Sequence, residues 1–137
     1  MPQLSEFQIN LKIKLAAMWA SVMFLYIYCD YFELYTPNKL EAMINGTTIF
    51  RAGDQMALLG LSTIMLVTSL MICLSILLPA TINRILNIVV GTIMTLMLAL
   101  LTYVAGWYFY KMYAATEALL TLSIVWYAWH WPRALKA

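Results

Sequence analysis

The chain has 137 residues, of which 64% are hydrophobic and only 10% are charged, and its net charge is +2. Soluble domains average roughly 45–50% apolar and about 25% charged residues, so this composition excludes an ordinary soluble domain. The small, dispersed net charge also argues against nucleic acid as a partner. We therefore interpret residues 1–137 as one domain of an integral membrane protein.

The first predicted element is a long apolar helix over about residues 11–35, which ends among tyrosines and acids. A short helix is predicted over about residues 37–45. Thr36 is its expected N-cap, Pro37 suits the first helical position, and Gly46 suits the exit. Because its apolar residues share one face, we expect this short helix to lie on the membrane surface.

Three further apolar runs predict helices over about residues 54–78, 81–110 and 113–131. A helix of about 20 residues crosses a hydrocarbon core of about 30 Å, so each run can span a membrane. Short connections favour antiparallel neighbours. The expected fold is all-α, an up-down bundle of four transmembrane helices with a short interfacial helix between the first and second. Gly91 and Thr95 form a small-residue pair that favours close approach of a neighbouring helix.

The distribution of basic residues predicts the orientation. The end that holds both termini carries five basic residues and one acid, Glu6; the basic residues are Lys12, Lys14, Arg84, Arg133 and Lys136. The other end carries three basic residues, Lys39, Arg51 and Lys111, among five acids. Basic residues are enriched in cytoplasmic loops, so we expect a multi-pass protein of the cell (inner) membrane with both termini in the cytoplasm.

One stretch near the N-terminus resembles a known family. The residues that carry the resemblance are Lys12, Lys14, Leu15 and Trp19, followed by Tyr26-Ile27-Tyr28, Asp30-Tyr31-Phe32, Leu34-Tyr35 and Pro37. This pattern is similar to an uncharacterised family of short bacterial four-helix integral membrane proteins, a domain of unknown function. Asn38 stands where we expect Gly. The resemblance implies a fold and a location and no activity.

Two acids are predicted to lie just inside the outer membrane boundary. Asp30 is sixteen residues after Lys14, or about 24 Å along a helix, and Glu117 is fourteen residues before Trp131, or about 21 Å. Because the first and last helices of such a bundle are neighbours, the two carboxylates can share one depth. The candidate ligand-binding residues at this end are Tyr26, Asp30, Tyr31, Glu33, Arg51, Asp54, Lys111 and Glu117.

Two interpretations of these acids stay open. In the first, they are interface charges: Glu117 lies in the first turn of its helix, favoured by the helix dipole, and Asp30 pairs with Arg51 or Lys111. In the second, they line a polar pocket for a cation, a proton or a polar ligand, because acids inside a membrane are typical of functional sites. For any single residue, the first interpretation has the better prior.

The sequence indicates no catalytic, metal or cofactor site. His130 is the only histidine, and Trp129 and Trp131 flank it, so it is interpreted as an interface residue rather than a ligand. Ser and Thr residues have no neighbouring base. We therefore expect no catalytic residue, no metal and no cofactor, and an enzyme is the less favoured class.

Three function hypotheses remain. The first is an accessory or structural membrane protein whose outer pocket binds a small ligand, a lipid headgroup or a partner helix. The second is a small oligomeric transporter, or an ion- or proton-coupled carrier, that uses Asp30 and Glu117. The third is an intramembrane enzyme with these acids as an acid/base pair. A transporter needs a carboxylate near mid-membrane, whereas Asp30 and Glu117 are both predicted near the outer boundary. An enzyme needs a nucleophile or a metal site, and the sequence indicates neither. We therefore rank the three hypotheses in the order given. The expected partners are the lipid bilayer, a small polar ligand or cation, and further copies of the chain.

Overall fold

The computed structural model describes residues 8–46 and 55–132. These residues form helices and connections without any strand. The five helices are α1 (Leu11–Glu33), α2 (Lys39–Ile44), α3 (Gln55–Leu77), α4 (Ala80–Val104) and α5 (Tyr108–Trp129). The predicted all-α class is thus confirmed for the described part of the chain.

Three of these helices are long and apolar enough to cross a membrane, namely α1, α3 and α4. They have 23, 23 and 25 residues, and their most apolar segments have a mean hydropathy of 1.4, 2.3 and 2.2. At 1.5 Å per residue each is about 35 Å long, enough for a hydrocarbon core of about 30 Å. Length and composition therefore support a membrane protein.

The distribution of polar and apolar side chains is compatible with a bundle surrounded by lipid. Large apolar side chains are exposed on the outside of every long helix, including Phe24, Leu66, Ile93 and Leu119. The buried residues include six polar or charged ones: Thr68, Ser75, Asn83, Asn87, Glu117 and Thr121. In water this arrangement would be unfavourable, whereas in lipid polar groups are satisfied best inside the bundle.

The long helices pack in a closed order. α1 contacts α3 and α5, α4 contacts α5, and α3 makes a smaller contact with α4. The core between them is formed by eight buried side chains: Leu15, Trp19, Val22, Tyr26, Met71, Met94, Leu98 and Ile124. The fully buried residues of α3 begin at Thr68, in its second half, and Ile64 and Met65 are partly buried against the core.

Gly91 allows α4 and α5 to approach closely, as its spacing with Thr95 predicts. A Cβ atom at Gly91 would lie only 2.8 Å from Cγ2 of Val125 and 3.6 Å from the backbone oxygen of Thr121. One turn further along α4, the hydroxyl oxygens of Thr95 and Thr121 lie 2.9 Å apart, within hydrogen-bond distance. The small residue therefore brings two polar side chains on different helices together.

A buried polar cluster connects α1, α3 and α4 near the end of the bundle where α3 ends and α4 begins. Trp19 Nε1 donates to Asn87 Oδ1 at 2.8 Å. Asn87 Nδ2 donates to Asn83 Oδ1 at 2.6 Å, and Asn83 Nδ2 donates to the backbone oxygen of Ser75 at 2.5 Å. We call Trp19, Ser75, Asn83 and Asn87 the asparagine network. Its amide groups have partners on neighbouring helices, which the sequence did not predict.

The break between α4 and α5 lies earlier than predicted. The sequence interpretation extended the third long helix to Tyr110 and began the fourth at Tyr113. In the structure α4 ends at Val104 and α5 begins at Tyr108, with Gly106 between them. Glycine is a poor helix former, so the chain breaks at Gly106. Lys111 lies within the first turn of α5.

The turn before α2 also differs from the prediction. Thr36 is not the N-cap of α2: its hydroxyl donates to the backbone oxygen of Glu33 at 2.7 Å. α2 begins at Lys39 after Asn38, which has a φ of 61°. Asparagine tolerates this left-handed conformation better than most residues, which explains how it occupies a position where Gly was expected. The exit at Gly46, with a φ of 65°, is as predicted.

α2 presents apolar side chains without burying them. None of its residues is buried, and Leu40 and Ile44 are 56% and 70% exposed. An apolar face left open next to a transmembrane helix is typical of an interfacial helix.

Candidate functional site

A small cavity lies between α1, α4 and α5, at the end of the bundle where α1 ends and α5 begins. We call this the polar end. The described residues that line the cavity are Tyr26, Cys29, Asp30, Leu98, Leu101, Tyr110, Ala114 and Glu117. The space open to the centre of a water molecule is about 10 Å³. About this much volume is needed for one water, so the cavity admits a group of that size.

Helical spacing explains why these residues meet. Tyr26, Cys29 and Asp30 follow one another at i, i+3 and i+4 on α1 and so share one face. Tyr110, Ala114 and Glu117 are at i, i+4 and i+7 on α5 and share another. Leu98 and Leu101 of α4 close the third side. The cavity is therefore polar on two helices and apolar on the third.

Two polar atoms at the cavity lack a hydrogen-bond partner. Oε1 of Glu117 and the hydroxyl of Tyr26 are buried and make no hydrogen bond within the part of the chain that the structure describes. Glu117 is 2% exposed and Tyr26 is 6% exposed. Buried polar groups nearly always have partners, and an unsatisfied one costs about 1–3 kcal/mol. Both groups are thus suited to a ligand that supplies hydrogen-bond donors.

The position of Glu117 excludes the helix-dipole explanation. That explanation placed Glu117 in the first turn of its helix. Since α5 begins at Tyr108, Glu117 is nine residues, or about 14 Å, beyond the helix start. The favourable effect of a helix N-terminus falls off within the first turn. The carboxyl group therefore has to be explained by its own surroundings.

Among its described lining residues the cavity carries two carboxyl groups, of Asp30 and Glu117, and no basic side chain. Asp30 is exposed, whereas Glu117 is buried. Lys39 is engaged elsewhere, because its Nζ lies 2.5 Å from a carboxylate oxygen of Glu33. Lys111 is half-buried and makes no ion pair within residues 8–46 and 55–132. The cavity is thus suited to a positive or hydrogen-donating group.

The structure brings together three of the eight residues selected from the sequence: Tyr26, Asp30 and Glu117 line one cavity. Glu33 instead pairs with Lys39. Tyr31 is 51% exposed, and its hydroxyl lies 2.6 Å from that of Tyr35, away from the cavity. The remaining three are Lys111, which does not line it, and Arg51 and Asp54, which lie outside the described residues.

Sequence reasoning missed five lining residues, Cys29, Leu98, Leu101, Tyr110 and Ala114. The predicted bounds placed Tyr110 at the end of the third long helix, because the break between α4 and α5 was predicted too late in the chain. With α5 beginning at Tyr108, the spacing of seven residues between Tyr110 and Glu117 places both on one face. This spacing of seven residues is the sequence pattern that identifies Tyr110 as a lining residue once the start of α5 is known.

The arrangement does not resemble a metal centre. The structure, over its described ranges, contains no group of three or more His, Cys, Asp or Glu residues able to hold a metal ion. Ca²⁺ and Mg²⁺ take six or more oxygen ligands, and the cavity has room for about one water. The described lining residues therefore supply too few oxygen ligands for such an ion.

Comparison with known families assigns the chain. The model of DUF6326, a family of unknown function, matches residues 3–137. The chain belongs to this family. DUF6326 thus covers nearly the whole chain, and the uncharacterised family expected from the N-terminal pattern is confirmed. No curated protein and no solved structure matches this DUF6326 chain. Membership adds no activity, so a function has to be argued from the site.

Proposed function

We propose that this protein is a four-span protein of the cell (inner) membrane that binds a small polar ligand at its polar end. Both termini face the cytoplasm, and the polar end faces the outside. The observation that carries the binding role is the pair of buried atoms without partners, Glu117 Oε1 and the Tyr26 hydroxyl, against one cavity. In this role the protein is a ligand-binding accessory component of the membrane.

The pattern of α5 supports its role as the fourth span. Its 22 residues extend over about 33 Å. The buried residues recur every three or four positions and form one face: Ala114, Glu117, Thr121, Ile124 and Ala128. Leu119, Leu122 and Trp126 are exposed at 65%, 53% and 64%. A helix packed on α1 and α4 through one face and apolar on the other fits a lipid-facing position.

A transporter is the less supported alternative. The bundle interior beyond the cavity is filled by fully buried side chains, among them Leu15, Trp19 and Ile124. The asparagine network adds hydrogen bonds between helices at the same level as Trp19. A path for an ion along the axis of a single chain is therefore closed in this conformation. A carrier that uses Asp30 and Glu117 would need a second conformation or an oligomer.

Thiol labelling tests the sidedness of the proposed site. Cys29 is buried, so the probe is Asp30→Cys in a chain with both native cysteines changed to serine; Asp30 is exposed and lines the cavity. We expect a membrane-impermeant methanethiosulfonate to modify this thiol from the outside of intact cells. The matched control is Cys29→Ser, which leaves Cys73, an exposed residue on α3 that does not line the cavity. That thiol should stay unmodified from the outside. Labelling of the Asp30→Cys thiol only from the cytoplasmic side would contradict the proposal.

A further inference from the structure

We infer that the ligand at the polar end is a primary ammonium group, either of a soluble amine or of a lipid headgroup that ends in –NH₃⁺. This inference rests on the proposed binding function and names the chemistry of its ligand. The argument uses the charge of the cavity, its hydrogen-bond acceptors, its volume and its access.

The acceptors of the cavity match the donors of an ammonium group. An –NH₃⁺ group has three N–H donors and no acceptor. The cavity offers the carboxyl groups of Glu117 and Asp30 and the hydroxyl of Tyr26, and Glu117 Oε1 and that hydroxyl are without partners in the described structure. One ammonium group would satisfy both and also neutralise a carboxylate. A water molecule would supply hydrogen bonds but no charge.

The volume of the cavity selects a compact cation. Space for about one water also fits a single –NH₃⁺ group. Three methyl groups on the nitrogen would remove its donors and exceed this volume. A primary ammonium group is thus favoured over a quaternary one.

Access to the cavity is from the polar end. Asp30 is exposed while Glu117 is buried, so the two carboxyl groups lead from the surface into the cavity. α3 does not line the cavity, and none of its residues before Thr68 is buried. Three helices rather than four therefore enclose the site. The side of the site that no helix covers is compatible with entry of a soluble amine and with entry of a headgroup from the membrane.

Thermal unfolding of the purified full-length protein in phosphatidylcholine nanodiscs tests the ligand class. The probes are methylammonium, tetramethylammonium and sodium chlorides at equal concentration, with acetamide as a neutral polar probe. We expect methylammonium to raise the unfolding temperature by about 5 °C or more once it exceeds its Kd about 100-fold. Tetramethylammonium and sodium should have no such effect.

Two variants tie this effect to the cavity. Glu117→Gln and Asp30→Asn should each weaken the apparent affinity for methylammonium at least tenfold, and having two variants keeps the test valid where one fails to fold. Glu41→Gln is the matched control, since Glu41 is an exposed acid on α2 at the same end that does not line the cavity. It should retain the full stabilisation.

A second arm distinguishes the two sources of the ammonium group. Protein in phosphatidylethanolamine nanodiscs is compared with protein in phosphatidylcholine nanodiscs without added amine. Higher stability in phosphatidylethanolamine, lost in Glu117→Gln, indicates the headgroup. Stabilisation by methylammonium in phosphatidylcholine without any effect of phosphatidylethanolamine indicates a soluble amine.

The outcomes separate this inference from the proposed function. Two results would overturn the ammonium assignment and keep a ligand site, provided that the effect is lost in Glu117→Gln. One is that tetramethylammonium or sodium stabilises the protein as much as methylammonium does. The other is that acetamide alone stabilises it. Probe effects that are the same in the wild type and both variants would overturn the ammonium assignment and the binding site together.

Discussion

Trp19 and Asn87 join the first and third long helices by one buried hydrogen bond, from the indole Nε1 to Oδ1, with a length of 2.8 Å. Both side chains are fully buried. Asn87 also donates to Asn83, which in turn donates to the backbone of Ser75 on α3. One amide therefore connects three helices, and its removal should affect the whole bundle.

We expect Asn87→Leu to lower the free energy of unfolding by about 1–3 kcal/mol, because Trp19 Nε1 is then buried without a partner. Trp19→Phe removes the donor instead. The loss of unfolding free energy in the double variant should be smaller than the sum of the losses in the two single variants, by about 0.5 kcal/mol or more. Unfolding in mixed detergent micelles, followed by circular dichroism, measures all three.

Ser123→Ala is the control for this cycle. The Ser123 hydroxyl bonds only within its own helix, to the backbone oxygen of Leu119 at 2.8 Å. Its removal should change the unfolding free energy by less than about 0.5 kcal/mol. Additive losses in the Trp19 and Asn87 variants would show that the two side chains do not act as a pair.

We predict that Gly91→Ala destabilises the packing of α4 on α5. The added methyl group would lie 2.8 Å from Cγ2 of Val125, and a crowded core costs about 1–3 kcal/mol. Val125→Ala should restore part of this loss. The measurement is again unfolding in mixed micelles.

Gly60→Ala is the matched control on α3, where an added Cβ has no atom within 4 Å. Because alanine is the better helix former, this change should leave stability unchanged or raise it by up to about 1 kcal/mol. If Gly91→Ala behaved in the same way, the close approach of the two helices would be refuted.

We expect Glu117→Gln to leave the unfolding free energy unchanged or to raise it by up to about 1 kcal/mol. Oε1 of Glu117 has no hydrogen-bond partner to lose, and the amide removes the cost of burying a charge. Glu33→Gln is the comparison, since it breaks the partly exposed ion pair with Lys39 and should cost about 0.2–1 kcal/mol. Thermal and detergent unfolding of both variants measures whether Glu117→Gln is less destabilising than Glu33→Gln.

A clear loss of stability in Glu117→Gln would indicate that this carboxylate takes part in a structural ion pair rather than in a binding site. Arg51, one of the basic residues selected from the sequence, would be the first partner to test by substitution. That result would argue against an open binding site.

Reporter fusions test the proposed topology. Fusions at Gly46 and Ala137 should report opposite sides of the membrane, because α3, α4 and α5 separate them. A further fusion at Gly106, between α4 and α5, should report the same side as Gly46. If Gly106 and Ala137 report the same side, α5 does not span and the protein has three spans.

The sequence alone determined which parts of the chain form helices long and apolar enough to cross a membrane. Long apolar runs mark α3, which has no charged residue, and α4, in which Arg84 is the single charge. The tyrosine-rich end of α1 places Asp30 near its last turn. These properties depend on the local composition of the chain, because the length of an apolar run sets the length of the helix that can cross a membrane. The spacing of Gly91 and Thr95 likewise predicted a close helix contact, because small side chains permit one wherever they lie on a packed face.

Only the tertiary structure decided how the polar residues are used. Asn87 and Glu117 are both polar residues in apolar helices, yet the amide has partners and Glu117 Oε1 has none. Which of the two states a side chain has depends on the atoms that a neighbouring helix brings to it. The early break at Gly106 sets the rotation of α5 and so places Tyr110 and Glu117 on the face towards Tyr26. Contacts between distant segments follow from helix packing, which local composition does not specify.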